Sequence, residues 1–178
     1  MKQTVITMLA AFIFAVAVPA QAQKSAGEVV DDNTVNASVK AELLGAKGVP
    51  STDIKVETYR GVVLLSGFVE TQAMKDQAGK VAQGVKGVQK LHNAIAVHPK
   101  TSMGTKLDDT VITSKVKTAL MGDDDVKSGE INVETKGGIV QLAGFVTGEG
   151  MLKRALEVAG KVEGVKKVEN ALYVKPSE

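Results

Sequence analysis

The chain has 178 residues, 44% of them hydrophobic and only 3% aromatic, with a formal net charge of +2 and no cysteine. Disulfides, thiolate metal sites and a cysteine nucleophile are thereby excluded, and the near-neutral balance gives no general pull toward nucleic acid. Past residue 22 the aromatics are Tyr59, Phe68, Phe145 and Tyr173, too few for a base-stacking platform.

The N-terminus reads as an export signal. Lys2 supplies a positive start, Val5 to Val18 is an almost unbroken apolar run, and Ala20-Gln21-Ala22 has the small-x-small pattern of a cleavage site. The run is too short for a membrane span of roughly 20 residues, and no basic stop-transfer cluster follows it. Cleavage after Ala22 is expected, with the product in the periplasm; loss of Lys2 lowers the formal charge by one. With no cysteine, no lipid can be attached at the cleavage site. Residues 23–30 read as a flexible leader.

From residue 32 onward the chain repeats itself. Positions 32–99 align without a gap on 109–176 at an offset of 77, and about 29 of the 68 pairs are identical. A period this long is a small domain rather than a solenoid unit. The expected division is a first module at 31–99, a linker at 100–106 and a second module at 107–178. A domain of about 70 residues is only marginally self-sufficient, so docking of the two would help.

Each copy opens on a polar cap, Asp32 or Asn33 and then Asp109. An apolar stripe follows, Val35, Val39 and Leu43 repeated as Ile112, Val116 and Leu120, and then a glycine, Gly45 or Gly122. That pattern predicts an amphipathic helix. Ile54, Val56 and Thr58, repeated as Ile131, Val133 and Thr135, alternate as in a half-buried strand. Arg60-Gly61 and Gly137-Gly138 mark tight turns. The next strand points Val63, Leu65 and Val69, or Val140, Leu142 and Val146, to one side. Gly67 and Gly144 share that side, which suggests a bulge or close approach by a helix. A second helix carries Met74, Ala78, Val81, Ala82 and Val85, repeated 77 residues on and ended by Gly87 or Gly164. A last strand runs over 88–97 and 165–174. The expected fold is α+β: two tandem α-β-β-α-β modules, each a three-stranded mixed sheet with two helices on one face.

The paired Gly-x-Val-x-Leu-x-Gly-x-Val segments, Gly61 to Val69 and Gly138 to Val146, are each followed by an alanine-rich helix. Gly87-Val88, Leu91, Asn93 and Ile95 come next in the first copy, and Gly164-Val165, Val168, Asn170 and Leu172 in the second. In this the chain resembles the BON domain family, over both modules and nearly all of the expected mature chain. The resemblance implies binding to phospholipid membranes, or support of envelope integrity and protein folding under stress.

The residues themselves offer no catalytic constellation, and no cofactor is implied. His92 and His98 align with Glu169 and Lys175, which reads as a solvated face. The acidic residues common to both copies, Asp32/Asp109 and Glu57/Glu134, read as a helix cap and a strand surface residue. Asp123, Asp124 and Asp125 could attract a hard cation, but they lack the alternating spacing of an EF-hand loop and read better as a solvated loop. The sharper candidate is the first helix of the second copy. There Lys115 and Lys117 could meet anionic headgroups, with Val111 and Met121 as shallow apolar contacts. The expected function is therefore non-enzymatic, binding a phospholipid surface. The alternatives are a periplasmic chaperone for unfolded envelope proteins and a cation-binding osmotic sensor.

Overall fold

A computed structural model describes residues 31–99 and 103–176, with side chains described from 108 in the second span. The expected signal and leader lie outside the described residues. The first module contains α1 (Asp32–Gly45), β1 (Ile54–Tyr59), β2 (Val62–Val69), α2 (Gln72–Gln83), β3 (Lys90–Asn93) and β4 (Ala96–Val97). The second contains α3 (Met103–Met121), β5 (Asn132–Lys136), β6 (Ile139–Val146), α4 (Glu149–Gly160) and β7 (Lys167–Val174). In each module the central strand pairs antiparallel with the strand before it and parallel with the strand after the second helix. The α-β-β-α-β order and the mixed sheets are as the sequence predicts.

Each module closes its own core between helices and sheet. Val35, Val39 and Leu43 meet Val63, Leu65 and Val69 in the first, and Val116 and Leu120 meet Val140, Leu142 and Val146 in the second. The Arg60-Gly61 and Gly137-Gly138 turns have positive φ throughout, at 49° and 74°, then 63° and 82°. That is the twist a two-residue hairpin loop requires.

Several local expectations are corrected. Asp32 and Asp109 do not cap their helices. Each carboxylate reaches across to the hairpin, where it accepts the Arg60 and Gly61 amides at 2.6 and 2.8 Å, or the Gly137 and Gly138 amides, both at 2.8 Å. The first helix is thus tied to the turn between the next two strands, and the shared aspartate fixes tertiary structure. Gly67 and Gly144 do allow a close approach, but by backbone instead of a helix. A Cβ there would sit 2.1 Å from the Asp53 or Glu130 carbonyl oxygen, at φ of +108° and +146°.

The second helices end at Gln83 and Gly160, ahead of Gly87 and Gly164. Short-range bonds such as Val85 N–H to Ala82 O and Val162 N–H to Ala159 O tighten the chain there. The last strand of the first module is broken into β3 and β4, because the Ala94 carbonyl is turned out to the Gln141 amide of the other module. Helix α3 begins at Met103, inside the stretch expected to be linker.

The two sheets pack against each other through the faces that carry no helices. Seven consecutive residues of each central strand, Val63–Val69 and Val140–Val146, are buried, as befits a strand covered on both sides. A third apolar cluster fills the seam, with Leu64, Ala143, Phe145 and Ala171 at its centre and Tyr59, Val62, Ala94 and Tyr173 around it. The result is four layers: helices, sheet, sheet, helices.

Candidate functional site

The seam is built from polar as well as apolar pairs. Gln141, 2% exposed, accepts the Gly67 amide at 2.6 Å and donates to the Ala94 carbonyl at 2.8 Å. The Tyr59 ring lies 5.7 Å from that of Phe145, and His92 stacks on Tyr173 at 3.8 Å. His98 Nε2 is 3.5 Å from Glu169 Oε1. Both histidines thus belong to the seam rather than to a solvated face, and burial, aided by Lys90, holds the His92 pKa below its ordinary value. Glu57 is likewise drawn in. Asn132 donates to it at 2.6 Å, yet desolvation outweighs that bond and the pull of Lys40, so its carboxyl pKa is raised.

The contacts have a twofold character. Lys55 meets Glu134 at 3.5 Å and Glu57 meets Asn132; the offset of 77 carries Lys55 onto Asn132 and Glu57 onto Glu134, so each pair is the image of the other. The modules dock as an isologous dimer would.

With both sheet faces occupied, the free surface is that of the helices. On α3, Val111 is 54% and Met121 73% exposed. At about 100° per residue they lie on one outward arc with Ser114 and Thr118 between them, and Lys115 and Lys117 fall about 80° to either side. The four residues singled out in the sequence therefore form one strip, with Val111 and Met121 separated by the Ser114 and Thr118 hydroxyls and a lysine at either margin. Lys115 is engaged with Glu163 at 2.8 Å, a contact that lowers the Glu163 pKa. Lys117 carries no ion pair among the described residues. Asp124 and Asp125, exposed in the loop after Met121, oppose an anionic surface.

The acidic run does not converge. Asp123 is held by Arg154, with Nη2 at 2.8 Å and Nε at 2.9 Å, and accepts the Asp125 amide at 3.2 Å. Arg154 keeps the Asp123 carboxyl below the usual range. No group of three or more possible metal ligands occurs among the described residues.

Sequence reasoning missed the seam and, beside it, a cleft of about 720 Å³ between the modules. Asp53, Lys55 and Phe68 line it from the first module, and Lys117, Thr135 and Lys136 from the second. One signal was present: the outward positions of the central strands, Leu64, Phe68, Ala143 and Phe145, are apolar, which a water-facing sheet does not need.

A tandem pair of α-β-β-α-β modules docked sheet to sheet defines the class of the fold. The BON domain matches residues 31–99 and 108–176, and the chain belongs to that family. It is 42% identical over 151 residues to the osmotically-inducible protein Y of Escherichia coli (strain K12), covering 84% of this chain and 75% of that one. It is 34% identical over 150 residues to the outer membrane lipoprotein DolP of Haemophilus influenzae, covering 82% and 75%. It is also 34% identical over 146 residues to a 21 kDa hemolysin of Actinobacillus pleuropneumoniae, with the same coverage. No helix among the described residues is long and apolar enough to cross a membrane.

Proposed function

We propose that the protein is a non-enzymatic, periplasmic envelope-stress protein that rests on phospholipid surfaces through α3. The observation that carries this reading is the exposed pair Val111 and Met121, held at the centre of a strip whose margins are Lys115 and Lys117. Such a strip lies in the interface, with the apolar side chains shallow and the ammoniums level with the headgroups. Kinship with an osmotically inducible protein and an outer membrane lipoprotein supports an envelope setting.

The attraction is modest. Lys117 contributes about 1 kcal/mol near an anionic leaflet, and Lys115 must first give up Glu163. Val111 and Met121 add at most about 1.5–3 kcal/mol each if fully buried. Binding is therefore weak and more apolar than electrostatic.

The test is cosedimentation of the mature chain with anionic vesicles at low and high salt, beside the double variant Val111→Ser/Met121→Ser. Wild type should pellet at low salt and lose only part of its binding at high salt, and the variant should stay in solution. A wild type that never pellets, or a double variant that pellets equally well, overturns the reading.

A further inference from the structure

The twofold character of the seam fails at one place. In one half, Tyr59 at the end of β1 lays its ring on Phe145, Lys175 Nζ sits 5.6 Å from the Tyr59 centroid, and Lys175 is paired with Glu130 at 3.0 Å. The gap between modules is filled on that side. The image of Tyr59 is Lys136, and the image of Phe145 is Phe68. Here the phenylalanine, itself buried, packs edge-on against His98 of its own module at 5.4 Å, and Lys136 supplies no second ring. The space that Tyr59 closes in one half is open in the other, and it is the cleft of about 720 Å³, within the range of small-ligand sites.

The charges around that space are partly spoken for. Lys55 is paired with Glu134, Asp109 with the Gly137-Gly138 turn, and Glu70, which also lines the cleft, is engaged as well. Lys117 from α3 and Lys136 from β5 carry no ion pair among the described residues, and neither does Asp53 on the opposite wall. The Thr135 hydroxyl accepts from Thr113 at 2.7 Å and keeps its own proton to donate. Two ammoniums and a hydroxyl on one wall suit a phosphate oxygen, and a carboxylate on the other suits an ammonium.

We infer that this cleft is a binding site for a phosphodiester that carries a primary amine, of the glycerophosphoethanolamine kind. Lys117, Lys136 and Thr135 take the phosphate, Asp53 takes the amine, and Phe68 lies beneath the carbon chain. The ligand reaches the site either as a soluble headgroup or on a lipid. The lipid source rests on the membrane reading above, because Lys117 borders both the cleft and the α3 strip; the soluble source does not.

The experiment titrates the mature chain with glycerophosphoethanolamine and, separately, with glycerophosphoglycerol, following amide shifts by NMR. The key variant is Lys136→Tyr, which installs the residue already present at the matching place in the other half and closes the space. Residue 136 is not part of the α3 strip. Saturable shifts at Asp53, Lys117, Thr135 and Lys136 are expected with glycerophosphoethanolamine, at least about tenfold weaker in Lys136→Tyr. Asp53→Asn should remove the preference over glycerophosphoglycerol. Should Lys136→Tyr not fold, Lys136→Glu carries the same test.

Absence of saturable shifts, or equal shifts in the variant, overturns the inference. In a second arm the protein is sedimented with phosphatidylcholine vesicles with and without phosphatidylethanolamine. Weakening by Lys136→Tyr assigns the ligand to the lipid, and no effect assigns it to the soluble compound. Failure of the α3 strip shows instead as no pelleting of wild type with anionic vesicles, whatever the titration gives.

Discussion

Replacing Gln141 by Ala tests whether the two modules form one cooperative unit. The side chain is buried and bridges a fully buried donor, the Gly67 amide, and a half-buried acceptor, the Ala94 carbonyl. Removing it strands both. A stranded buried group costs about 1–3 kcal/mol, and with Ala94 at the lower end the pair comes to about 2–4 kcal/mol. For a chain of this size each kcal/mol moves the midpoint by roughly 2–4 °C, so thermal unfolding should begin roughly 4–16 °C lower. Calorimetry would register the shift, with the single transition of the wild type separating into two as the modules uncouple. Gln141→Leu sharpens the test, because leucine is the residue at the matching position, Leu64. It refills the volume but restores neither bond, so it should recover only the packing part of the loss. A Gln141→Leu protein as stable as wild type would refute the argument from hydrogen bonding.

Two further outcomes follow from the same geometry. Asp109→Ala, at a carboxylate only 6% exposed that accepts two turn amides, should cost about 1.5–3 kcal/mol; hydrogen exchange should quicken at Gly137 and Gly138 and stay slow at the Arg60-Gly61 turn. Glu57 supplies a pH dependence. Its raised pKa means that the folded protein holds the proton more tightly than the unfolded chain does. Its contribution is fully present below the unfolded value of about 4.3 and is lost as pH rises through the folded value. Glu57→Gln keeps the acceptor for Asn132 and removes the buried charge. It should raise the urea midpoint at neutral pH and flatten its slope from about pH 4 upward, and an unchanged slope would count against it.

The module was legible in the sequence because its determinants are local or periodic. The stripes Val35-Val39-Leu43 and Val63-Leu65-Val69, the paired turn glycines and the alanines of α2 and α4 each speak within a dozen residues. What stayed hidden depends on partners far away in the chain. Asp32 has the residue type and place of a helix cap, and only the fold brings its carboxylate to Arg60-Gly61. Gln141 reads as a polar residue in a strand, and nothing local says that its partners are Gly67 and Ala94. His92 and His98 look solvated for as long as the module is considered alone. The α3 strip was visible as a pattern, but the hold of Glu163 on Lys115 depends on a residue 48 positions on.

A symmetric seam inside one polypeptide has a consequence that a pair of separate subunits could not share. In a homodimer every substitution is made twice, so a side chain that opens a gap on one side opens it on the other and doubles the loss of contact. Covalent fusion lifts that constraint. Tyr59 can keep one end of the seam shut while its counterpart Lys136 leaves the other ajar. The joining segment also sets a high local concentration of one half around the other, so the pair stays assembled however dilute the protein becomes. Divergence of one half is thus underwritten by the steadiness of its twin.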